Sequence, residues 1–177
     1  PHMTIEENLG LAYSRGKKMR FGIGVRKSDR KLFRDACSRL NLGLEHRLKS
    51  EVGLLSGGQR QELTLLMATL EVPELLLLDE HTAALDPKTA ETIMELTYKI
   101  VQEKGVTTIM VTHNLKYAIE YGNRILMMHE GNVILDKEDE KRRQLRLMIS
   151  LTCSTKSVWS TAINSELKVL MPKASQI

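Results

Sequence analysis

The sequence predicts an α/β fold with a parallel β-sheet at its core. The run Leu75 to Leu78 is typical of a strand that is buried on both faces, as in a parallel sheet. The apolar, β-branched run Val106 to Val111 predicts a second buried strand. A helix with a wide apolar stripe is predicted between them, from Pro87 to about Lys104. Strands that alternate with helices in this way indicate a parallel sheet.

Local patterns predict the remaining elements. These are a helix from Ser28 to near Gly43, a helix from Gln61 to Leu70, a short helix after Asn114, and the strands Arg124 to Met128 and Asn132 to Leu135 around a turn. Thr4 and Glu7 form a capping-box pair. The chain therefore divides into a helical part (residues 1–71), a sheet part (residues 72–138) and a tail (residues 139–177).

A serine and two glycines precede the helix at Gln61. In Ser56-Gly57-Gly58-Gln59 the glycines let the backbone turn sharply and bring bare N–H groups against an anion. The helix that follows adds free amides and the positive end of its dipole. This stretch is therefore predicted to bind phosphate.

Three polar side chains follow the two predicted core strands. Asp79 and Glu80 come at the C-terminal end of the leucine run, where open α/β sheets bind their ligands. Asp79 is suited to hold Mg²⁺ through water, and Glu80 to polarise an attacking water. His113, after the second strand, can donate a hydrogen bond to a terminal phosphate oxygen. Taken singly, the acidic pair is more typical of a turn after a buried strand, and a lone histidine of a structural role.

In this order and at these separations, the motifs resemble the ATP-binding subunits of ABC transporters. Leu55 to Gln59 is similar to the ABC signature, and Leu75 to Glu80 to the Walker B strand with its catalytic glutamate. Ala84-Leu85-Asp86 is similar to the D-loop, and His113 to the switch histidine. The resemblance covers about residues 1–138. It implies a P-loop NTPase fold of the ABC type with a helical signature subdomain.

The resemblance also implies a site and its partners. Glu80 and His113 would be catalytic, and Asp79 would support Mg²⁺. The residues that would bind ATP, the other implied cofactor, are Ser56, Gly57, Gly58, Gln59 and Asp86. A second ATPase subunit would complete an ATP sandwich, and a polytopic membrane permease would be driven by its closure. The chain would then lie in the cytoplasm at the inner face of the cell membrane, and no nucleic-acid partner is expected.

The Walker A loop of the family has no match in this sequence. The nearest approach to Gly-x-x-x-x-Gly-Lys-Ser/Thr runs from Gly10 to Lys18; its spacing is one residue too long, and a lysine replaces the required hydroxyl. We therefore expect the Walker A strand to precede Pro1, and the chain alone neither to bind ATP tightly nor to hydrolyse it. The family fold places that strand beside the one that ends at His113, so we expect an unpaired apolar sheet edge there. A smaller departure is His81, where proline is usual.

Composition separates the tail from the rest of the chain. Of the 177 residues, 42% are hydrophobic, which is enough for a core, and no apolar run approaches the roughly 20 residues that cross a bilayer. The formal net charge is +4, and the excess comes from the tail, where seven basic residues after position 140 accompany one acidic residue, Glu166.

Three interpretations of the tail stay open. One is a nucleic-acid arm, which no basic stripe or interleaved aromatic residue supports. A disordered or poorly packed segment is favoured over it. The third is a frameshift near Leu145, which the coding DNA would decide.

Three functions remain open on the sequence. The first is the ATPase subunit of a transporter, most similar to bacterial importers for amino-acid-like solutes. The second is a non-transport ABC protein that acts on DNA or ribosomes, although the usual coiled-coil insertions and tandem cassettes are not visible. The third is an inactive gene remnant.

Overall fold

A computed structural model of the chain describes residues 2–15, 25–39, 41, 43–138 and 166–171. The helices are α1 (Ile5–Tyr13), α2 (Lys27–Arg39), α3 (Gly57–Thr69), α4 (Pro87–Lys104) and α5 (Leu115–Tyr121), with a 3-10 turn at Val52–Leu54. The strands are β1 (Leu75–Asp79), β2 (Thr107–Thr112), β3 (Arg124–His129), β4 (Asn132–Glu138) and β5 (Glu166–Met171). Each predicted helix and strand of the first 138 residues is present, but some of their ends differ. The helix expected from Gln61 begins at Gly57, so the two glycines lie in its first turn and not in a turn before it, and the helix expected to reach Gly43 ends at Arg39. Part of the near-match to the Walker A loop, residues 16–18, lies outside the described residues.

The chain forms two compact units. The first comprises Pro1–Pro73 and Thr82–Thr97, and the second Glu74–His81 and Tyr98–Ile177. In the first unit, α1, α2 and α3 enclose an apolar core, whose buried members are Ile5, Leu9, Phe33, Cys37, Leu44, Leu48, Leu55, Leu63 and Leu66. Tyr13 meets Phe33 edge-on, with ring centroids 6.0 Å apart.

Polar contacts fix the start of α1. The Thr4 hydroxyl accepts the N–H of Glu7 at 3.3 Å, and the Glu7 carboxylate accepts the N–H of Thr4 at 2.7 Å, so the predicted capping box is confirmed. The buried Glu6 carboxylate accepts two hydrogen bonds from the Arg30 guanidinium, at 2.5 and 2.8 Å. This bidentate pair joins α1 to α2.

The starts of α3 and α4 approach closely at Gly58. A Cβ atom on Gly58 would lie 2.6 Å from Cγ2 of Thr89, a distance that real Cβ atoms essentially never show. A Cβ on Gly57 would lie 3.5 Å from Cδ2 of Leu85, which is an ordinary van der Waals contact. Position 58 therefore requires glycine for a steric reason, and position 57 does not.

The second unit contains a five-stranded sheet, in the order β1-β2-β5-β3-β4. β1 and β2 are parallel, as predicted, with Asp79 opposite Val111. β3 and β4 form an antiparallel hairpin around Glu130 and Gly131, whose φ angles of 48° and 79° suit the twist of a two-residue hairpin turn. The three ladders other than β1–β2 are antiparallel, so the parallel part of the sheet is a single pair among the described strands.

The tail contributes a strand that the sequence did not predict. We expected an unpaired edge beside β2, but β5 lies between β2 and β3 and is antiparallel to both. The expectation of disorder is therefore wrong for Glu166–Met171, whereas Leu145, the site of the inferred frameshift, lies outside the described residues. An open strand edge offers unpaired backbone groups to an extended segment that lies beside it. The composition of the tail does not predict which of its segments lies there.

β1 is buried on one face, not on two as predicted. Leu76 and Leu78 are buried, whereas Leu75 and Leu77 are 47% and 66% exposed. Successive side chains of a strand point to opposite faces. The leucine run shows that both faces are apolar, but only one of them is covered by described residues.

A partly buried histidine follows β1. Loss of hydration lowers the pKa of His81 to about 4, against an ordinary value of 6.5. The imidazole is therefore neutral at pH 7.

Gly58→Ala is expected to destabilise the protein by about 1–3 kcal/mol, because the added methyl group overpacks against Thr89. Thr89→Ser removes the opposing methyl group, so Gly58→Ala/Thr89→Ser should recover most of this loss. Urea unfolding followed by circular dichroism measures both effects. Gly57→Ala is the matched control and should cost less. Equal losses at the two glycines, or no recovery in the double variant, would contradict the packing described here.

His81 is expected to make the protein acid-labile. Because its pKa is lower in the folded state, the unfolded state takes up the proton first as the pH falls. The stabilisation is complete above about pH 6.5 and declines as the pH falls towards 4, by about 1 kcal/mol between pH 7 and pH 5 for this partly exposed ring. Urea unfolding at several pH values measures this decline in the free energy of unfolding. His81→Gln should remove the decline. The control His46→Gln changes an exposed side chain and should leave the decline unchanged. If the free energy of unfolding varies with pH in the same way for the unaltered protein and for His81→Gln, the prediction is wrong.

Candidate functional site

The parallel pairing of β1 with β2 brings the predicted acid and base residues to one sheet edge. Asp79 ends β1, and His113 comes directly after β2. The N–H of Glu80 donates to the carbonyl of Val111 at 3.0 Å, which extends the ladder one residue beyond β1. Since parallel strands end on the same side, residues far apart in the chain meet there.

Glu80 and His113 contact each other through their side chains. Nε2 of His113 lies against Oε1 of Glu80, and the two side chains are 52% and 40% exposed, respectively. Water and a phosphate group can therefore reach the pair from solvent. Glu80 has a φ of +42°, a left-handed conformation that costs a residue other than glycine about 1–3 kcal/mol.

The flanking residues position His113, and the sequence analysis missed them. The Thr112 hydroxyl is buried and accepts the N–H of Asn114 at 3.0 Å. The Asn114 side-chain oxygen accepts the N–H of Tyr117 at 3.4 Å and caps α5. His113 is thus held between the end of a strand and a helix cap. The signal was the asparagine before an apolar helical stretch, which predicts an N-cap.

Asp79 is an exposed carboxylate beside this pair. Among the residues that the structure describes, no group of three or more His, Cys, Asp and Glu side chains could hold a metal ion. Mg²⁺ is usually bound by one or two carboxylates together with water and substrate phosphates. Asp79 has the carboxylate that such a complex requires, and its role as a Mg²⁺ ligand stays a prediction.

The predicted phosphate-binding turn lies in the first unit, where it starts α3. The Ser56 hydroxyl accepts the N–H of Gln59, and the Gln59 side-chain oxygen accepts the N–H of Ser56, both at 3.2 Å. This capping box satisfies two of the four amides that a helix start leaves unpaired, and Gly57 and Gly58 supply the other two. The amides available for an anion are those of the glycines, because Ser56 and Gln59 bind each other.

Asp86 caps α4 in the same unit. Its carboxylate accepts the N–H of Thr89 at 3.1 Å, and its carbonyl accepts the N–H of Ala90 at 2.8 Å. The hydrogen bonds from Thr89 lower the pKa of Asp86, so the carboxylate is ionised at neutral pH. Thr89 also touches Gly58 and so links the two helix starts, a role that the sequence analysis missed. Contact of Asp86 with ATP stays a prediction.

Within the ranges that the structure describes, no helix combines the length and the apolar character needed to cross a membrane.

Known proteins with similar sequences are ATP-binding proteins of transporters. The family model described as ABC transporter matches residues 1–83. A tyrosine transport ATP-binding protein of Clostridioides difficile (strain R20291) is 49% identical over 145 residues, which cover 82% of this chain and 57% of that protein. The energy-coupling factor transporter ATP-binding protein EcfA2 of Bacillus cereus (strain ATCC 10987 / NRS 248) is 35% identical over 160 residues, which cover 88% of this chain and 53% of that protein. The chain thus spans little more than half the length of these relatives.

Solved structures of ATP-binding cassettes share the fold. One cassette of an ABC transporter matches 85% of this chain and 61% of its own, with a TM-score of 0.66 and 22% identity, which supports the fold alone. A cassette solved as a dimer in a post-hydrolysis state, bound to ADP and Pi, matches 78% of this chain and 57% of its own, with a TM-score of 0.59 and 30% identity. The resemblance inferred from the motifs and the predicted α/β fold class are confirmed. The chain belongs to the family of ATP-binding domains of ABC transporters.

Proposed function

We propose that this chain is part of the ATP-hydrolysing subunit of an ABC transporter, in which ATP hydrolysis drives the transport of a solute. The observation that carries the proposal is the contact between Glu80 and His113 at the shared end of β1 and β2. A carboxylate and an imidazole in contact, open to solvent, can orient an attacking water and donate to a terminal phosphate, and so support hydrolysis. The relative named for tyrosine transport supports a solute of the amino-acid class.

In the proposed site the three side chains have different roles. Glu80 orients the attacking water and takes up its proton. His113 holds the Glu80 carboxylate in place and donates a hydrogen bond to the terminal phosphate when the nucleotide arrives. Asp79 would hold Mg²⁺ through water, and Mg²⁺ bound there would supply positive charge to the phosphates.

The first unit serves the nucleotide of a second subunit. The amides of Gly57 and Gly58, at the positive end of α3, cap the phosphates of an ATP that the partner holds. Ser56 and Gln59 keep this turn in shape, and Asp86 does the same for α4. The cassette solved as a dimer with ADP and Pi supports a second ATPase subunit as partner. The transporter names of the relatives support a membrane permease as the other partner, and with it a place at the cytoplasmic face of the membrane.

The isolated chain is expected to bind Mg-ATP no more tightly than about 1 mM, because the amides and lysine of a Walker A loop supply most contacts to the phosphates. Isothermal titration calorimetry measures this affinity. An ABC ATPase with an intact Walker A loop, titrated under the same conditions, is the control for the assay. Micromolar affinity of this chain would refute the proposed division of the site.

The genomic sequence and one variant test the proposed activity itself. Reading about 400 bases on either side, roughly one small domain, should reveal a Walker A loop in frame upstream and a neighbouring gene for a polytopic membrane protein. In the chain extended by that segment, Glu80→Gln should lower kcat for ATP hydrolysis by about 10²-fold or more, with ATP binding retained.

Glu95→Gln is the matched control for this experiment, since Glu95 is an exposed glutamate of α4. It should leave both kcat and ATP affinity unchanged. An extended chain whose hydrolysis survives Glu80→Gln would remove Glu80 from the mechanism. A neighbouring gene for a DNA-processing protein would favour the non-transport alternative.

A further inference from the structure

One side chain joins the starts of α3 and α4 in the first unit. Cγ2 of Thr89 lies 2.6 Å from the position that a Cβ atom on Gly58 would take, so its methyl group fills the space beside this glycine. A second contact is made by Leu85, whose Cδ2 lies 3.5 Å from the Cβ position of Gly57. Side chains of residues 85–89 therefore set the spacing between the two helix starts.

The other branch of the same side chain holds Asp86. The hydroxyl group of Thr89 donates a hydrogen bond to the Asp86 carboxylate, which is the largest of the effects that lower the pKa of that carboxyl group. The N–H of Thr89 donates to the same carboxylate at 3.1 Å. Because threonine is β-branched, its methyl and hydroxyl groups turn together about χ1. The side chain is therefore restricted to the rotamer that satisfies Gly58 and Asp86 together.

The segment that carries Asp86 belongs to the same unit as the signature turn (residues 56–59). That unit includes Thr82–Thr97, whereas Glu80 belongs to the second unit. Asp86 is exposed, and Thr89 is partly buried. The carboxylate is thus open to a ligand, and the side chain that links it to the signature turn is partly shielded from solvent.

We propose that Thr89 is a positioning residue for the nucleotide that a second subunit holds. Its methyl group sets the distance between the signature turn and α4, and its hydroxyl group keeps the Asp86 carboxylate on α4. The signature turn and Asp86 then meet the partner's nucleotide as one rigid surface. The inference rests on the proposed function, because only a nucleotide held by the partner requires these two segments in a fixed arrangement.

Each branch of Thr89 has its own effect on phosphate binding. Without the methyl group, the start of α3 can shift against α4, and the amides of Gly57 and Gly58 lose their fixed direction. Without the hydroxyl group, the ionised carboxylate of Asp86 keeps one of its two hydrogen bonds from Thr89 and is free to turn. A carboxylate that turns towards phosphate repels it. Both changes weaken contact with the partner's nucleotide.

The test separates the two branches by conservative substitution. Thr89→Ser keeps the hydroxyl group and removes the methyl group, whereas Thr89→Val keeps the methyl group and removes the hydroxyl group. The matched controls are Thr92→Ser and Thr92→Val, about one turn further along α4. The Thr92 side chain is exposed, and its hydroxyl donates to the carbonyl of Lys88 at 3.1 Å.

The first measurement uses the chain extended by its upstream Walker A segment. The rate of ATP hydrolysis is followed against subunit concentration, because closure of a two-subunit sandwich is bimolecular. Both Thr89 variants should need at least about tenfold more subunit for the half-maximal rate, with the ATP affinity of the single subunit unchanged within about twofold. The Thr92 variants should match the unaltered protein.

A merely structural role of Thr89 would lower thermal stability and leave the half-maximal subunit concentration unchanged. That concentration therefore separates positioning from stability. An unchanged value in either Thr89 variant would overturn the role assigned to the missing branch.

The second measurement needs only the present chain. The probe is tripolyphosphate, and the NMR shifts of the Gly57 and Gly58 amides report its binding. Both amides should shift in the unaltered chain and in the Thr92 variants, and the Thr89 variants should bind the probe at least about threefold more weakly. Equal binding in all chains would overturn the role of Thr89 and keep that of the signature turn. Glycine amides that shift in none of the chains would overturn the phosphate-binding role of the turn itself.

Discussion

The parallel ladder between β1 and β2 is the constraint on which the candidate catalytic site depends. It aligns the ends of two strands that are separated in sequence by a whole helix, and so places Glu80 against His113. A shift of one residue in this ladder would turn every side chain of β1 to the opposite face. The left-handed backbone at Glu80 follows from the same constraint, because its N–H remains in the ladder while its side chain turns towards His113. The local strain is the cost of holding a carboxylate at that edge.

The first unit uses one physical device three times, a capped helix start, at α1, α3 and α4. Ser56 with Gln59 at α3, and Asp86 at α4, use their polar groups to satisfy backbone amides of their own helices. The signature turn therefore offers an anion its glycine amides, and its polar side chains keep those amides in place. Thr89 connects the two starts, since it donates to Asp86 and leaves room only for glycine at position 58. Gly58 thus has a structural role beside Thr89 as well as the proposed role in binding an anion. Only a variant that changes one role without the other can distinguish them.

In the second unit, a strand from the tail of the chain determines how the other strands are joined into one sheet. Four of its strands come from residues 75–138, yet β5 from the tail is what joins them. The polar, Ser/Thr-rich composition of the tail favours disorder when it is considered alone. Two open strand edges outweigh that preference for Glu166–Met171, because unpaired backbone groups in a sheet interior are costly.

Much of the secondary structure and the grouping of the site residues was determined by the sequence alone. Periodicity predicts α3 and α4, capping residues predict the start of α1, and the ends of β1 and β2 place Asp79, Glu80 and His113 at one edge, because these patterns depend on neighbours within a few residues. The contact of Thr89 with Gly58, the exposed face of Leu75 and Leu77, and the insertion of β5 were decided by the tertiary structure. Each of these features depends on which segments, far apart in the sequence, lie close together in the folded chain. Local sequence patterns carry no information about such distances.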